Sequence, residues 1–209
     1  MGTFSMVARC PKTGALGVCV STATLAVGSV VPHVEANVGA IATQGYTNIK
    51  YGVKGLKLLR LGLSPKTALE ALLKDDSQRD LRQVIIIDKY GRKAAHTGMR
   101  TSEWRGHIIG EDYVAAGNML SSSRVIEAMA EAFESSAGWL ADRLMQALEA
   151  GDAAGGDIRG KLSAALLVVG GIAMPETRPI LDLRVDMHKD PVKELRRIFE
   201  AYKIWLRLR

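Results

Sequence analysis

Thr3-Phe4-Ser5-Met6-Val7-Ala8-Arg9, then Pro11-Lys12-Thr13-Gly14, then Ala15-Leu16-Gly17-Val18-Cys19-Val20-Ser21: these three runs follow one another in the sequence. Side chains alternate across a strand, so the first run puts Phe4, Met6 and Ala8 on one face and Ser5 and Val7 on the other. The second run, with Pro and Gly, is a turn. The third is valine-rich and returns as a strand. Together they predict an antiparallel hairpin. In a tight hairpin Cys10 opposes about Ala15 and Cys19 opposes about Met6. The sulfurs then do not meet, which predicts free thiols and a reducing, cytoplasmic compartment.

Further along, Val38 to Gln44 reads as an apolar strand. The stretch Tyr51 to Leu61 carries helical spacing at Val53, Leu56, Leu59 and Leu61. A second helix begins at Ser64-Pro65, with Ser as N-cap, Pro at the first helical position, and Leu69, Leu72 and Leu73 on one side. Gln83 to Asp88 and Arg92 to Thr97 form a second hairpin around Lys89-Tyr90-Gly91. Short strands follow at His107 to Ile109 and Tyr113 to Ala116. Helices are expected from Ser122 or Ser123 to about Glu134 and from Trp139 to Ala150. A glycine-rich loop, Gly151 to Gly160, leads into a strand at Ser163 to Val169. Leu181 to Val185 is another strand, and Pro191 opens a terminal amphipathic helix.

Helices therefore arrive in adjacent pairs between runs of strands. That order excludes the strand–helix alternation of a doubly wound parallel sheet. It predicts an α+β protein, with antiparallel sheets stacked face to face and helices outside, as a single domain over 1–209. No repeat, linker or low-complexity segment interrupts it.

A chain of 209 residues buries roughly 70% of its unfolded surface and needs no disulfide or metal staple. Aromatics are 5% of the residues, so the core is aliphatic and an aromatic nucleobase platform is excluded. The net charge of +6 permits weak attraction to anions. The charge is not concentrated; the most basic stretch is the tail, where Lys193, Arg196, Arg197, Lys203, Arg207 and Arg209 face Asp190, Glu194 and Glu200, the pattern of a solvated helix face. The longest apolar stretch, Ser163 to Pro175, is too short to span a bilayer. Neither a membrane nor a specific nucleic acid is expected as a partner.

Several motifs bear on chemistry. Gly155 to Leu162 approaches a phosphate-binding loop, but Leu162 stands where Ser or Thr must hold magnesium, and a strand follows instead of a helix. The loop is read as a turn or a pocket wall. The four histidines make no metal-ligand spacing with one another or with cysteine, so neither a metal nor a cofactor is expected. His96 ends a strand before Thr97-Gly98, where it lines a site or is a hydrogen-bonded structural histidine. No Gly-x-Ser-x-Gly elbow is present. Thr3 opens the first strand, with Ser5 on the same face. An N-terminal threonine joins a nucleophilic hydroxyl to its own amine, whose ordinary pKa near 8 lets it serve as a local base.

The run Thr3 to Arg9, with Thr13-Gly14 and Leu16-Gly17-Val18, resembles the opening of the domain-of-unknown-function family numbered 1028 (DUF1028). The resemblance continues through Val30-Val31-Pro32, Gly39 to Gln44, Asn48, Tyr51-Gly52, Asp80 to Gln83 and Ala95 to Gly98. It runs on through Gly117 to Leu120, Ala154 to Asp157, Arg159-Gly160, Ser163 to Leu167 and Leu183 to Asp186. It covers essentially the whole chain.

That family is similar to the N-terminal-nucleophile (Ntn) hydrolases. The resemblance implies their four-layer αββα sandwich and amide hydrolysis by an N-terminal Thr, Ser or Cys. It makes Thr3 the candidate nucleophile and Ser5 its neighbour or substitute. It makes Gln44, Asn48, Asn118 and Asp157 candidates for the pocket lining. Two features depart from the family pattern. Gly2 intervenes between Met1 and Thr3, so a free Thr3 amine requires that Gly2 be removed, or that Gly2–Thr3 cleave itself as Gly–Thr junctions do in proteasome subunits. The stretch Ser21-Thr22-Ala23-Thr24-Leu25 holds no lysine to tune a nucleophile, which leaves Lys50 or another distal base. The expected activity is thus hydrolysis of an unidentified small amide by a homo-oligomer. The alternatives are a non-catalytic ligand-binding or structural module on the same fold and, less favoured, a weak nucleic-acid binder through the basic terminal helix.

Overall fold

The computed structural model describes residues 2–170 and 181–207. The elements run β1 Thr3–Arg9, β2 Leu16–Thr22, β3 Pro32–Glu35, β4 Gly39–Gly45, α1 Lys50–Arg60, α2 Pro65–Lys74, β5 Arg82–Asp88, β6 Lys93–Thr97, β7 Gly106–Ile109, β8 Tyr113–Asn118, α3 Arg124–Ser135, α4 Leu140–Ala153, β9 Ser163–Val169, β10 Leu181–Val185 and α5 Pro191–Arg207. A six-stranded sheet has the order β10-β9-β2-β1-β8-β7 and a four-stranded sheet the order β3-β4-β5-β6. Neighbouring strands are antiparallel throughout. The first hairpin has the register read from its turn: Met6 opposes Cys19, and the Cys10 amide bonds to the Ala15 carbonyl at 2.8 Å. Both cysteines are free thiols.

Alternation along the strands sorts the core into three layers. Phe4, Met6, Cys19 and Leu166 face outward from the larger sheet onto Val125, Met129, Leu144, Leu148, Leu195 and Phe199 of α3, α4 and α5. Ile41, Val84 and Ile86 face outward from the smaller sheet onto Tyr51, Leu59 and Leu69 of α1 and α2. Val7, Val18, Val20, Ala42, Ile85, Ile87 and Val114 fill the space between the sheets. Fully burying a side chain of this kind contributes about 1.5–3 kcal/mol, so the layers hold by aliphatic area rather than by aromatics. The fold is the four-layer αββα sandwich, with antiparallel sheets and helices on both outer faces.

Three details differ from the sequence reading. The edge strand β3 was not anticipated, because Pro32 and its neighbours lack alternation; Pro is tolerated at the start of an edge strand. The predicted stripe on α1 is rotated. Val53 and Leu61 are exposed, and the helix packs through Tyr51, Gly52, Gly55 and Leu59. Glycine sets that face: a Cβ at Gly52 would lie 2.1 Å from the His33 ring, and one at Gly55 would lie 2.6 Å from Ile41. Finally, α4 continues to Ala153, so Gly151 belongs to a helix and not to the loop. A Cβ there would press on Met129 at 2.7 Å.

The basic tail up to Arg207 forms α5, and three of its cations are paired. Arg196 bonds to Glu149 and Glu200, Arg197 to Glu194, and Lys203 to Asp142 and Glu200. Within the apolar stretch Ser163 to Pro175, residues 171–175 lie outside the described residues. No helix among the described residues is long and apolar enough to cross a membrane.

Candidate active site

The space between the sheets is apolar at one end and polar at the other. Following the alternation of β1, β2, β4, β5 and β8 past their inward aliphatic residues leads to Ser5 and Thr3, Thr22, Gln44, Gln83 and Asn118. All of them are buried. Buried amides and hydroxyls are stable only when hydrogen-bonded, and here they bond to one another across the sheets. The Ser5 hydroxyl donates to Gln44 Oε1 at 2.7 Å. Gln44 Nε2 donates to Gln83 Oε1 at 2.8 Å, and Asn118 Nδ2 donates to the same oxygen at 2.9 Å. Gln83 Nε2 donates to the carbonyls of Gly117 at 2.8 Å and Gly106 at 3.0 Å, and to Thr97 Oγ1 at 3.0 Å. Thr97 Oγ1 lies 2.9 Å from His107 Nδ1. Burial, followed by the nearby His96, holds the His107 pKa below its ordinary value.

Thr3 opens the central strand of the larger sheet, and its backbone partner on β8 is Asn118. The Asn118 Oδ1 is buried and has no hydrogen-bond partner among the described residues. Just before Thr3, the carbonyl oxygen of Gly2 is surrounded by donors. Thr22 Oγ1 donates to it at 2.5 Å, Arg159 Nη2 at 3.0 Å and the Thr3 hydroxyl at 2.5 Å. The two hydroxyls are 3.3 Å apart. Arg159 is aimed by Asp157: its Nε and Nη2 bond to the two carboxylate oxygens at 3.0 and 2.6 Å. The Asp157 side chain is fully buried, and it also accepts from the Ala23 amide at 3.1 Å. Asp157 is in turn positioned by an isolated bridge to Leu120. That bridge follows Met119, which has a left-handed φ of 54°. Such a backbone costs a non-glycine residue roughly 1–2 kcal/mol. Here it joins the end of β8 to the Asp157 loop.

The structure thus brings Thr3, Ser5, Gln44, Asn118 and Asp157 to one end of the sandwich. It does not bring Asn48 or His96 there. Asn48 lies in the turn just before α1, its Oδ1 accepting from the Lys50 amide at 3.1 Å. The reason is parity: the loop packs on Thr43, which faces the helices, and not on Gln44, which faces the other sheet. His96 opposes the outward-facing Val84 and lies 2.9 Å from the Arg79 carbonyl. Lys50, the candidate distal base, is exposed on the outer face at the start of α1.

Thr22, Arg159, Gln83, Thr97 and His107 were missed as site candidates. For Thr22 and Gln83 the signal was present. Thr22 continues the inward series Leu16, Val18, Val20, and Gln83 continues Ile87, Ile85. A polar residue at a core-facing parity needs a partner, and that is a site signal. Arg159 had no such signal, because a loop sets its direction.

The site is thus a buried threonine at the start of a central strand, beside a carbonyl cradled by an arginine and a hydroxyl, within an αββα sandwich. The chain belongs to the family of unknown function DUF1028, whose family model matches residues 3–195. The crystal structure of protein SPO2555 from Silicibacter pomeroyi, which carries the same family model, is similar with a TM-score of 0.89 and 35% identity, covering 96% of this chain and 86% of that chain. Anbu (ancestral beta-subunit) from Yersinia bercovieri is similar only at a TM-score of 0.43 and 8% identity, over 97% of this chain and 96% of that chain. Among curated proteins none matches this chain.

Proposed function

We propose that this protein is an N-terminal-nucleophile amidohydrolase for a small amide, with Thr3 as nucleophile, and that Gly2–Thr3 is the first amide it opens. The observation that supports this reading is the Gly2 carbonyl itself. Its oxygen carries donors from Thr22 and Arg159 while the Thr3 hydroxyl lies alongside. Donors fixed on an oxygen that gains charge in the transition state are the main electrostatic device of acyl transfer.

The step balances as follows. Thr3 Oγ1 bonds to the Gly2 carbonyl carbon, the bond from that carbon to the Thr3 nitrogen breaks, and the hydroxyl proton ends on the departing nitrogen. Water then adds to the ester. It releases a chain ending in a Gly2 carboxylate and leaves Thr3 with a free hydroxyl and a free amine. The amine becomes the local base for the next substrate. Asn118 Oδ1, buried opposite Thr3 without a partner among the described residues, is an acceptor for an N–H of that amine or of the leaving group. Ser5 is held by Gln44 and serves as a rigid neighbour. No step in this reading calls for a metal or a cofactor.

The test combines an intact mass with a panel of small amides and ureido compounds. The expected result is loss of the residues before Thr3, hydrolysis of at least one panel member, and none by Thr3→Ala. Hydrolysis by protein that retains Gly2 sinks the free-amine mechanism, and hydrolysis by Thr3→Ala overturns the site. One observation favours a second reading, a non-catalytic module. Gly2 is buried, and its carbonyl satisfies the same donors a substrate would need. Retained Gly2 with no hydrolysis supports that module.

A further inference from the structure

We infer that Asp157 makes the site selective for acyl groups whose α-carbon bears no side chain, that is, glycyl-type amides. The inference rests on the Thr3 nucleophile reading and extends it to the substrate. One nucleophile and one set of oxyanion donors can serve two amides only if both acyl carbons occupy the same place. The Gly2 carbonyl occupies it in this structure, so the Gly2 α-carbon marks where the substrate's α-carbon must go. An L-side chain built there meets Asp157 at once: Cγ, Oδ1 and Oδ2 all lie 2.7 Å from the added Cβ.

Whether that contact matters depends on whether the carboxylate can withdraw. Three constraints hold it. Arg159 grips both oxygens, with its backbone amide adding a bond to Oδ1 at 3.0 Å. The Ala23 amide holds Oδ2. The side chain is fully buried. Retreat would also carry away Arg159, which donates to the acyl oxygen. A branched substrate therefore loses oxyanion stabilisation by the same movement that makes room for it. An acyl α-carbon with two hydrogens needs no movement.

Two measurements test this. In the first, Gly2–Thr3 cleavage is followed by intact mass after cell-free synthesis, for the wild type, Gly2→Ala, Asp157→Ala and the double variant. One extra methyl in a rigid subsite slows turnover about 10- to 200-fold. We expect Gly2→Ala to slow cleavage by that factor in the wild-type background and by several-fold less beside Asp157→Ala. The double-mutant comparison cancels whatever Asp157→Ala does by itself. Equal slowing in both backgrounds, or no slowing by Gly2→Ala, overturns the inference. Absence of cleavage in the wild type overturns the self-cleavage reading and removes the inference with it.

In the second, protein carrying a free Thr3 is treated with the 4-nitrophenyl esters of N-acetylglycine and N-acetyl-L-alanine. The acyl adduct on Thr3 is read by mass. A faster adduct from the glycine ester, by a similar factor, supports the inference. Equal rates overturn it while leaving the nucleophile standing. No adduct from either ester overturns the nucleophile.

Discussion

Thr22 and Arg159 share the Gly2 oxygen, and their removal has separable consequences. Arg159→Met keeps the length of the side chain and deletes its donors. On the proposed reading both are oxyanion donors; loss of one costs about 10²–10³ in rate, so the proposed cleavage at Gly2–Thr3 should slow by that factor in a mass time course. Asp157 then loses its cation, and a lower melting temperature is expected as well. Thr22→Val removes the other side-chain donor at nearly constant volume. It should slow cleavage comparably with little change in melting. Thr3→Ser keeps the hydroxyl and should retain cleavage, and Thr3→Ala should abolish it. At this scale the site was half legible. Thr3 and Ser5 stand at positions that alternation and resemblance both mark, and Asn118, beyond the strand read to Ala116, is marked by the resemblance alone. Thr22 stood in plain view within Ser21 to Leu25, a stretch searched for a lysine when a hydroxyl at inward parity was the informative feature. Arg159 acts through a direction that no local pattern encodes.

Among the elements, β5 shows how much one polar residue can carry. Its Gln83 side chain accepts from Gln44 and Asn118 and donates to two backbone carbonyls of the other sheet. Gln83→Leu takes the acceptor from Asn118 Nδ2 and leaves Gln44 Nε2 with the Ala116 carbonyl at 3.3 Å. At about 1–3 kcal/mol for an unsatisfied buried group, the loss should be about 1–3 kcal/mol. It should appear as a lower urea midpoint with an unchanged slope. The helix α1 shows the opposite case, where nothing is the important side chain. Gly52→Ala puts a methyl into the His33 ring, and overpacking of this kind costs about 1–3 kcal/mol, measurable in the same titration. Hydrophobic spacing located α1 in the chain but misassigned its inner face. Close approach of backbone is invisible to a pattern that counts apolar side chains. The hairpins, α2, α3 and α4 were legible because turn residues and aliphatic spacing agreed there, joined at α2 by the Ser64 cap.

For the whole molecule, the pH response follows from what is buried. His33 and His107 have pKa values held below the ordinary 6.5, in both cases chiefly by burial. The unfolded chain therefore binds these protons more readily than the folded one. Their contribution to stability is complete above the unfolded value and is lost as pH falls through the lower folded values. The melting temperature should fall between about pH 7 and about pH 5. His107→Gln should flatten part of that fall. Asp76 acts further down the scale. Its hydrogen bonds from Arg82 hold it at about 2 instead of 3.8, so its contribution persists above 3.8 and disappears as pH drops through about 2. The layered architecture itself was readable in outline, since helices that come in pairs between antiparallel strands can cover two stacked sheets only from outside. Which end of the interface is polar was not readable, because it depends on the register of strands far apart in sequence.

The central place of β1 has one more consequence. A new chain end usually frays into solvent, but one made at Thr3 would begin inside a sheet bonded on both flanks, at a residue only 4% exposed. Burial disfavours the charged form of an amine and lowers its pKa. An ordinary α-amine, near 8, is largely protonated at neutral pH. The Thr3 amine of the proposed reading would be formed at a buried place instead of in solvent. With no lysine between Ser21 and Leu25, the strand itself would tune the base.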